Sequence, residues 1–128
     1  MQWLSRILLG LGGALLLVVG TMVWFNTADA LANVGLNAVA APGWGTARAD
    51  IGGFFIVCGG LGLVAAITLN PRLIWPAQVL LLAAFTGRLL TLFIDGTGAA
   101  GPVNMGIEVM LLGVMQWCRS RWPSQSTV

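Results

Sequence analysis

The sequence predicts an all-α membrane protein, with four transmembrane helices in a bundle and a short interfacial helix between spans one and two. Hydrophobic residues make up 58% of the 128 residues and charged residues only 8%. Soluble proteins contain about 25% charged residues. The chain contains apolar segments near the length of about 20 residues that a helix needs to cross a bilayer. Arginines and tryptophans collect at the ends of these segments, as is typical of membrane-spanning helices.

Span one is predicted over residues 7–25, a run without any charged residue. A signal peptide is the alternative interpretation, because Arg6 precedes the run and the sequence Ala28, Asp29, Ala30 follows it. Signal peptides usually have apolar regions of about 7–15 residues. The length of this run therefore favours a membrane span.

The segment 26–46 is longer than a usual connection, so it is expected to contain structure of its own. Thr27 can cap a helix and Asp29 would lie in its first turn. We expect a short amphipathic helix at the interface, its polar stripe either simply wetted or forming a lid over what lies below. The polar stripe consists of Asn26, Asp29, Asn33 and Asn37.

Spans two, three and four are predicted over residues 51–69, 73–94 and 103–118, within a single domain of residues 1–128. The polar residues from Arg119 to the end are expected to form a loose tail. The four spans together predict a bundle with both termini on one side.

Proline and glycine are expected to separate these spans. Pro42, Gly43 and Gly45 predict a helix break before span two. Asn70 and Pro71 predict a tight turn after it, so spans two and three should be antiparallel neighbours.

Small residues recur at helical spacing in spans one and two. Such a face lets the backbone of a neighbouring helix approach closely. The sequence does not say whether that neighbour belongs to the same chain or to a partner. The stripes consist of Gly10, Gly13, Ala14 and Gly20 in span one and Gly52, Gly59, Gly62 and Ala66 in span two.

The arginines predict the orientation. Six arginines and no lysine carry the positive charge, for a formal net charge of +2. With four spans, most of them fall on the side of the termini, whereas the other side holds three aspartates and only Arg48. The positive-inside rule then places both termini in the cytoplasm. The arginines on the terminal side are Arg6, Arg72, Arg119 and Arg121.

Arg88 is a charged residue within an apolar run, where charge costs several kcal/mol by the lowest estimates. At 1.5 Å per residue, Arg88 lies about 10 Å below the end of span three near Asp95, and Glu108 lies about 9 Å below the start of span four near Pro102. The two levels match, so we predict an Arg88–Glu108 ion pair. Arg48 and Asp95 are also level with each other and are expected to form a second pair.

The candidate binding residues are Arg48, Asp50, Arg88, Asp95 and Glu108. One interpretation is structural, with paired charges holding together helices whose apolar surfaces gain little from each other in lipid. The second is a polar pocket that faces an anionic head group or a small acid. A proton relay through Glu108 and Asp95 is a third, although no acidic or histidine chain continues to the cytoplasmic side.

Catalytic, metal and nucleic-acid functions find little support in the sequence. The chain has no histidine, which removes the commonest metal ligand and proton-transfer group. We expect no enzyme activity, no metal and no cofactor. A net charge of only +2 argues against a nucleic-acid partner. The expected partners are the lipid bilayer and further membrane subunits, or a second copy of the chain.

Several short motifs resemble domain-of-unknown-function family 4345, a family of small bacterial four-span membrane proteins. They are Arg48-x-Asp50-x-Gly52-Gly53, Gly87-Arg88, Asp95-Gly96 and Glu108, in this order over spans two to four. The resemblance implies a helical inner-membrane protein and supports treating the charged residues as one unit. It implies no activity, ligand or catalytic residue.

Two functions follow as hypotheses. The first is a non-enzymatic accessory or scaffold subunit that packs its glycine and alanine faces against partner helices. The second is a binder or carrier of a lipid or a small amphipathic acid at the charged cluster.

Overall fold

The computed structural model describes residues 2–37, 41–94 and 100–122, which are almost entirely helical. The all-α prediction is therefore confirmed for these residues. The helices are α1 (Gln2–Phe25), α2 (Thr27–Asn33), α3 (Ala41–Thr46), a π-helical segment (Ala47–Gly52), α4 (Gly53–Thr68), a 3-10 turn (Pro71–Leu73), α5 (Ile74–Ile94) and α6 (Ala100–Arg121).

Within the described residues, the long helices α1, α4, α5 and α6 pack side by side in a ring in that order. Cross-helix hydrogen bonds show that neighbours run antiparallel. Ser5 of α1 contacts Trp122 just after α6, and Gln78 of α5 contacts Gln116 of α6. We call the end of the bundle at Ser5 and Trp122 the terminal end, and the opposite end, at Trp24 and Arg48, the distal end.

Three helical stretches of the described residues are long and apolar enough to cross a membrane, namely Gln2–Phe25, Pro42–Thr68 and Pro71–Ile94. Their length and composition suggest a membrane protein. Helix α6 has a comparable length of 22 residues, but Asn104, Glu108 and Gln116 lower its hydropathy. Its role as a fourth span stays a prediction.

The chain before span two differs from the prediction. Pro42, Gly43 and Gly45 lie inside α3, and helical structure continues through the π-helical segment into α4. The predicted break at these residues is wrong because Pro42 lies in the first helical turn, where a missing N–H costs no hydrogen bond. Span two therefore begins about two turns before Ile51.

The short helix α2 lies within the segment where one was predicted, with Asp29 in its first turn. Thr27 does not cap it. Asn26 takes the cap position without a side-chain cap bond, and the Thr27 hydroxyl donates instead to the Val23 carbonyl at 2.8 Å. Its Ala30 and Leu31 are buried, so this helix packs against the bundle through its apolar side.

At the terminal end, α6 is longer than the predicted fourth span and continues to Arg121. Trp122 is only 4% exposed. Its indole nitrogen donates to the Ser5 hydroxyl at 3.0 Å, and the Cys118 thiol donates to the Ser5 carbonyl at 3.4 Å. The start of the predicted loose tail is therefore ordered, because the indole gains both apolar burial and a hydrogen-bond partner.

The small-residue stripes of α1 and α4 face each other. A Cβ atom on Gly59 would lie 2.6 Å from the Gly13 carbonyl oxygen and 2.6 Å from the Leu17 amide nitrogen. A Cβ atom on Gly13 would lie 2.7 Å from the Leu63 amide nitrogen. The two backbones are in direct contact, as small residues permit in membrane helices. The predicted close approach is confirmed, and the partner is a helix of the same chain.

We predict that Gly59→Ala destabilises the fold by about 1–3 kcal/mol, because the added methyl group forces two backbones apart. Gly60→Ala is the matched control, since a Cβ atom there meets nothing within 4 Å. The control should be neutral or more stable by up to about 1 kcal/mol, from helix propensity alone. Thermal unfolding in mild detergent measures both. Equal stability of the two variants would contradict the α1–α4 contact.

Candidate functional site

The centre of the site is an ion pair between α5 and α6. The Arg88 Nε donates to Glu108 Oε1 at 2.8 Å, so the pair predicted from helix depth is confirmed. Glu108 is buried, with 8% of its surface exposed, whereas 32% of the Arg88 side chain is exposed. The carboxylate therefore lies inside the bundle and the guanidinium extends from it toward the surface.

The pair leaves several polar atoms without partners. Only Nε and Oε1 are joined, although a guanidinium and a carboxylate can form two parallel bonds. Glu108 Oε2 is buried and has no hydrogen-bond partner among the described residues. Within the same part of the chain, no side chain or carbonyl accepts a bond from the two terminal nitrogens of Arg88. A buried unsatisfied polar atom is costly, so this one calls for an explanation.

A cavity of about 270 Å³ lies beside the ion pair. Its wall is mostly apolar, and its polar lining residues lie toward the distal end, namely Asn33, Asn104, Arg88 and Glu108. The apolar part is formed by Leu15, Leu16, Val19, Met22, Ala30, Val34, Phe55, Leu81, Ile107 and Leu111. Exposed residues on α1 and α6, such as Leu15 and Ile107, form part of this wall. The cavity is therefore bordered by exposed residues of these two helices.

A second cavity of about 360 Å³ continues from the first and shares Val34, Phe55, Arg88 and Glu108 with it. It reaches Asp50 of the π-helical segment, which is exposed. The ion pair thus lies at the junction of an apolar cavity and a more polar one that leads to the distal end. This arrangement suits a molecule that has an apolar part and a polar part.

The charges around the second cavity are one cation, Arg88, and two anions, Glu108 and Asp50. Coulomb interactions of the buried Glu108 carboxylate are stronger than in water, whereas the exposed Asp50 is partly screened by solvent. A buried pair by itself is weak support for a stabilising role, since desolvation of the two ions offsets their attraction. Placing the charges of Arg88 and Glu108 here therefore costs desolvation free energy, and the pair does not form all the hydrogen bonds that could offset this cost.

Arg48 is placed elsewhere and serves a different purpose. Its Nε donates to the Trp24 carbonyl and to the Thr27 hydroxyl, both at 3.0 Å, and the Trp24 indole donates back to the Arg48 carbonyl at 2.9 Å. These bonds place a cation at the end of α1, where the last carbonyls lack helical partners and the helix dipole is negative. The predicted partner Asp95 lies outside the described residues.

Two polar residues of the first cavity were not among the predicted site residues. Asn104 lies four residues before Glu108, one turn away on the same face of α6, and this spacing was the available signal. Asn33 was predicted only as part of the polar stripe of α2, and in the structure it lines the first cavity. The interpretation of α2 as a lid agrees with this position.

No cluster of three or more histidine, cysteine, aspartate or glutamate residues that could hold a metal ion occurs within residues 2–37, 41–94 and 100–122. Cys58 and Cys118 are both buried and unpaired, so neither forms a disulfide. The cavities therefore offer hydrogen bonds, charge and apolar surface to a ligand.

Comparisons with family models, with curated proteins and with solved structures found no match to this chain. The function proposed below therefore rests on the residues that line the first cavity.

We predict unequal effects when the two charges are replaced by apolar side chains. Arg88→Met leaves a buried carboxylate without a counter-ion and should cost about 3–5 kcal/mol. Glu108→Met should cost less, because the partly exposed guanidinium can reach water or lipid head groups. The double variant should recover most of the loss caused by Arg88→Met. Unfolding of all four proteins in one detergent gives the coupling energy. A double variant as unstable as Arg88→Met would contradict the pairing.

Proposed function

We propose that this protein binds a single-chain amphiphile, with the chain in the cavity between α1 and α6 and the head at the Arg88–Glu108 pair. The observation that carries the proposal is the unpartnered Glu108 Oε2 at the polar end of an otherwise apolar cavity. A ligand head at this place would supply the missing hydrogen bond and remove the cost of the orphaned atom.

The division of the cavity supports the same class of ligand. The apolar wall suits a hydrocarbon chain, which gains little in moving from lipid to protein, so affinity must depend on the few polar groups that contact the head. The exposed wall residues of α1 and α6, such as Leu15 and Ile107, support access from the bilayer, where such molecules are concentrated. Binding of this kind needs no cofactor and no catalytic residue.

The accessory-subunit hypothesis rested on small-residue faces that a partner helix could contact. In this chain those faces on α1 and α4 are in contact with each other. Contacts within one molecule therefore explain the small-residue faces. The cavity is left without such an explanation. The geometry therefore favours the amphiphile binder.

We place the protein in a bacterial cytoplasmic membrane, crossing it four times with both termini inside. The length of α6 supports a fourth crossing, because α6 runs beside α1 from the level of Glu108 to the contact between Trp122 and Ser5. The positions of Arg6, Arg72 and Arg119 support termini on the cytoplasmic side. The short helix α2 would then lie at the outer interface, over the cavity.

We predict that a photoactivatable fatty alcohol, added to the protein in nanodiscs, crosslinks to residues of the cavity wall. Val19→Trp should abolish this crosslink, because the indole fills the space that the chain would occupy. Val18→Trp is the matched control, since Val18 is 55% exposed and lies outside the cavity wall. Peptide mapping by mass spectrometry locates the crosslink. Crosslinks spread evenly over exposed helix surfaces, and unaffected by Val19→Trp, would contradict the proposal.

The number of crossings can be tested with two variants that each add one cysteine, Ala28→Cys and Ser120→Cys, at positions exposed in the structure. Four crossings place these thiols on opposite sides of the membrane. An impermeant maleimide added outside intact cells should label Ala28→Cys and leave Ser120→Cys unlabelled until the cells are opened. The parent chain, whose two cysteines are buried, is the background control. Labelling of both variants from outside would indicate three crossings.

A further inference from the structure

We infer that the bound amphiphile has an uncharged head that carries both a hydrogen-bond donor and an acceptor, such as a hydroxyl or a primary carboxamide. This inference rests on the proposed function and goes further, because it disfavours the anionic head group or small acid that the sequence alone suggested as a ligand. The atoms that the ion pair leaves free set two requirements for the ligand head.

Glu108 Oε2 sets the first requirement. An ionised carboxylate only accepts hydrogen bonds, so its free oxygen needs a donor in the ligand. A carboxylate or sulfonate head has no donor, and its negative charge would lie beside that of Glu108. Two like charges within hydrogen-bond distance of each other repel, and the repulsion is stronger beside a buried carboxylate than in water. An anionic head is therefore disfavoured even though Arg88 is close.

Arg88 sets the second requirement. A guanidinium only donates hydrogen bonds, and its terminal nitrogens lack acceptors within the described residues. A trimethylammonium head has no acceptor, and its positive charge would lie beside that of Arg88. A hydroxyl or a carboxamide offers an acceptor to Arg88 and a donor to Glu108 at the same time.

The surrounding polar groups support an uncharged head. Asn33 and Asn104, at the polar end of the first cavity, can each donate and accept hydrogen bonds without adding charge. Asp50, in the adjoining cavity, adds a second negative charge and makes an anionic head still less favourable. The same cavity leaves room for a head larger than one hydroxyl, for example a glycerol unit.

The test uses the parent protein in nanodiscs of zwitterionic lipid, with the photoactivatable fatty alcohol as the probe. Competitors share one chain length and differ only in the head, which is a hydroxyl, a primary carboxamide, a sulfonate or a trimethylammonium group. We expect the hydroxyl and the carboxamide to displace the probe at concentrations about tenfold or more below those of the two charged heads, as expected for one hydrogen bond to a charged group.

Two isosteric variants then test the roles of the individual charges. Glu108→Gln removes the negative charge and should shift the preference toward the sulfonate head. Arg88→Gln removes the positive charge and should shift it toward the trimethylammonium head. These opposite shifts are not expected if the pair only holds the helices together. Should either variant fail to fold, the series on the parent protein decides the matter alone.

The outcomes separate the two proposals. A probe that crosslinks to the cavity but is displaced equally by all heads, or best by the sulfonate, would overturn this inference and leave amphiphile binding in place. A probe that fails to crosslink to the cavity would overturn both. Selective displacement by the uncharged heads, with opposite shifts in the two variants, supports both.

Discussion

A carboxylate held away from water must be paired and hydrogen-bonded, and Glu108 meets only half of that requirement. Arg88 supplies one charged bond to Oε1 and leaves Oε2 unpartnered among the described residues. The pair therefore joins α5 to α6 and at the same time marks the polar end of a cavity. A purely structural pair would be expected to use the second oxygen as well. This incomplete pairing is the reason why we propose that the site binds a ligand.

Contacts of α1 with its neighbours fix the position of this helix beside the cavity. Direct backbone contact between α1 and α4 at Gly13 and Gly59 fixes the position of α1. The terminal end of α6 is tied to α1 through Ser5 and Trp122. Arg48 ties the end of α1 to the π-helical segment. Residues of α1, α2 and α6 line the cavity between these contacts.

Some of this arrangement followed from the sequence because it depends on simple geometry. A fixed rise per residue and a predicted short connection set Arg88 level with Glu108. The small-residue stripes indicated close packing, but a stripe does not specify its partner, so the contact between α1 and α4 needed coordinates. The sequence did not predict that the helix continues from Pro42 into α4. A proline in the first turn of a helix and a proline that ends a helix look alike in a sequence. The cavity could not be predicted, since it depends on the combined placement of five helices.

The most direct test of the account is an experimental structure of the protein extracted from native membranes into nanodiscs, at a resolution that separates the two oxygens of Glu108. If the site binds an amphiphile, we expect density that belongs to no protein atom, running along the apolar wall and ending within hydrogen-bond distance of Oε2. A cavity filled by the protein's own side chains, with both oxygens of Glu108 bonded to Arg88, would contradict it.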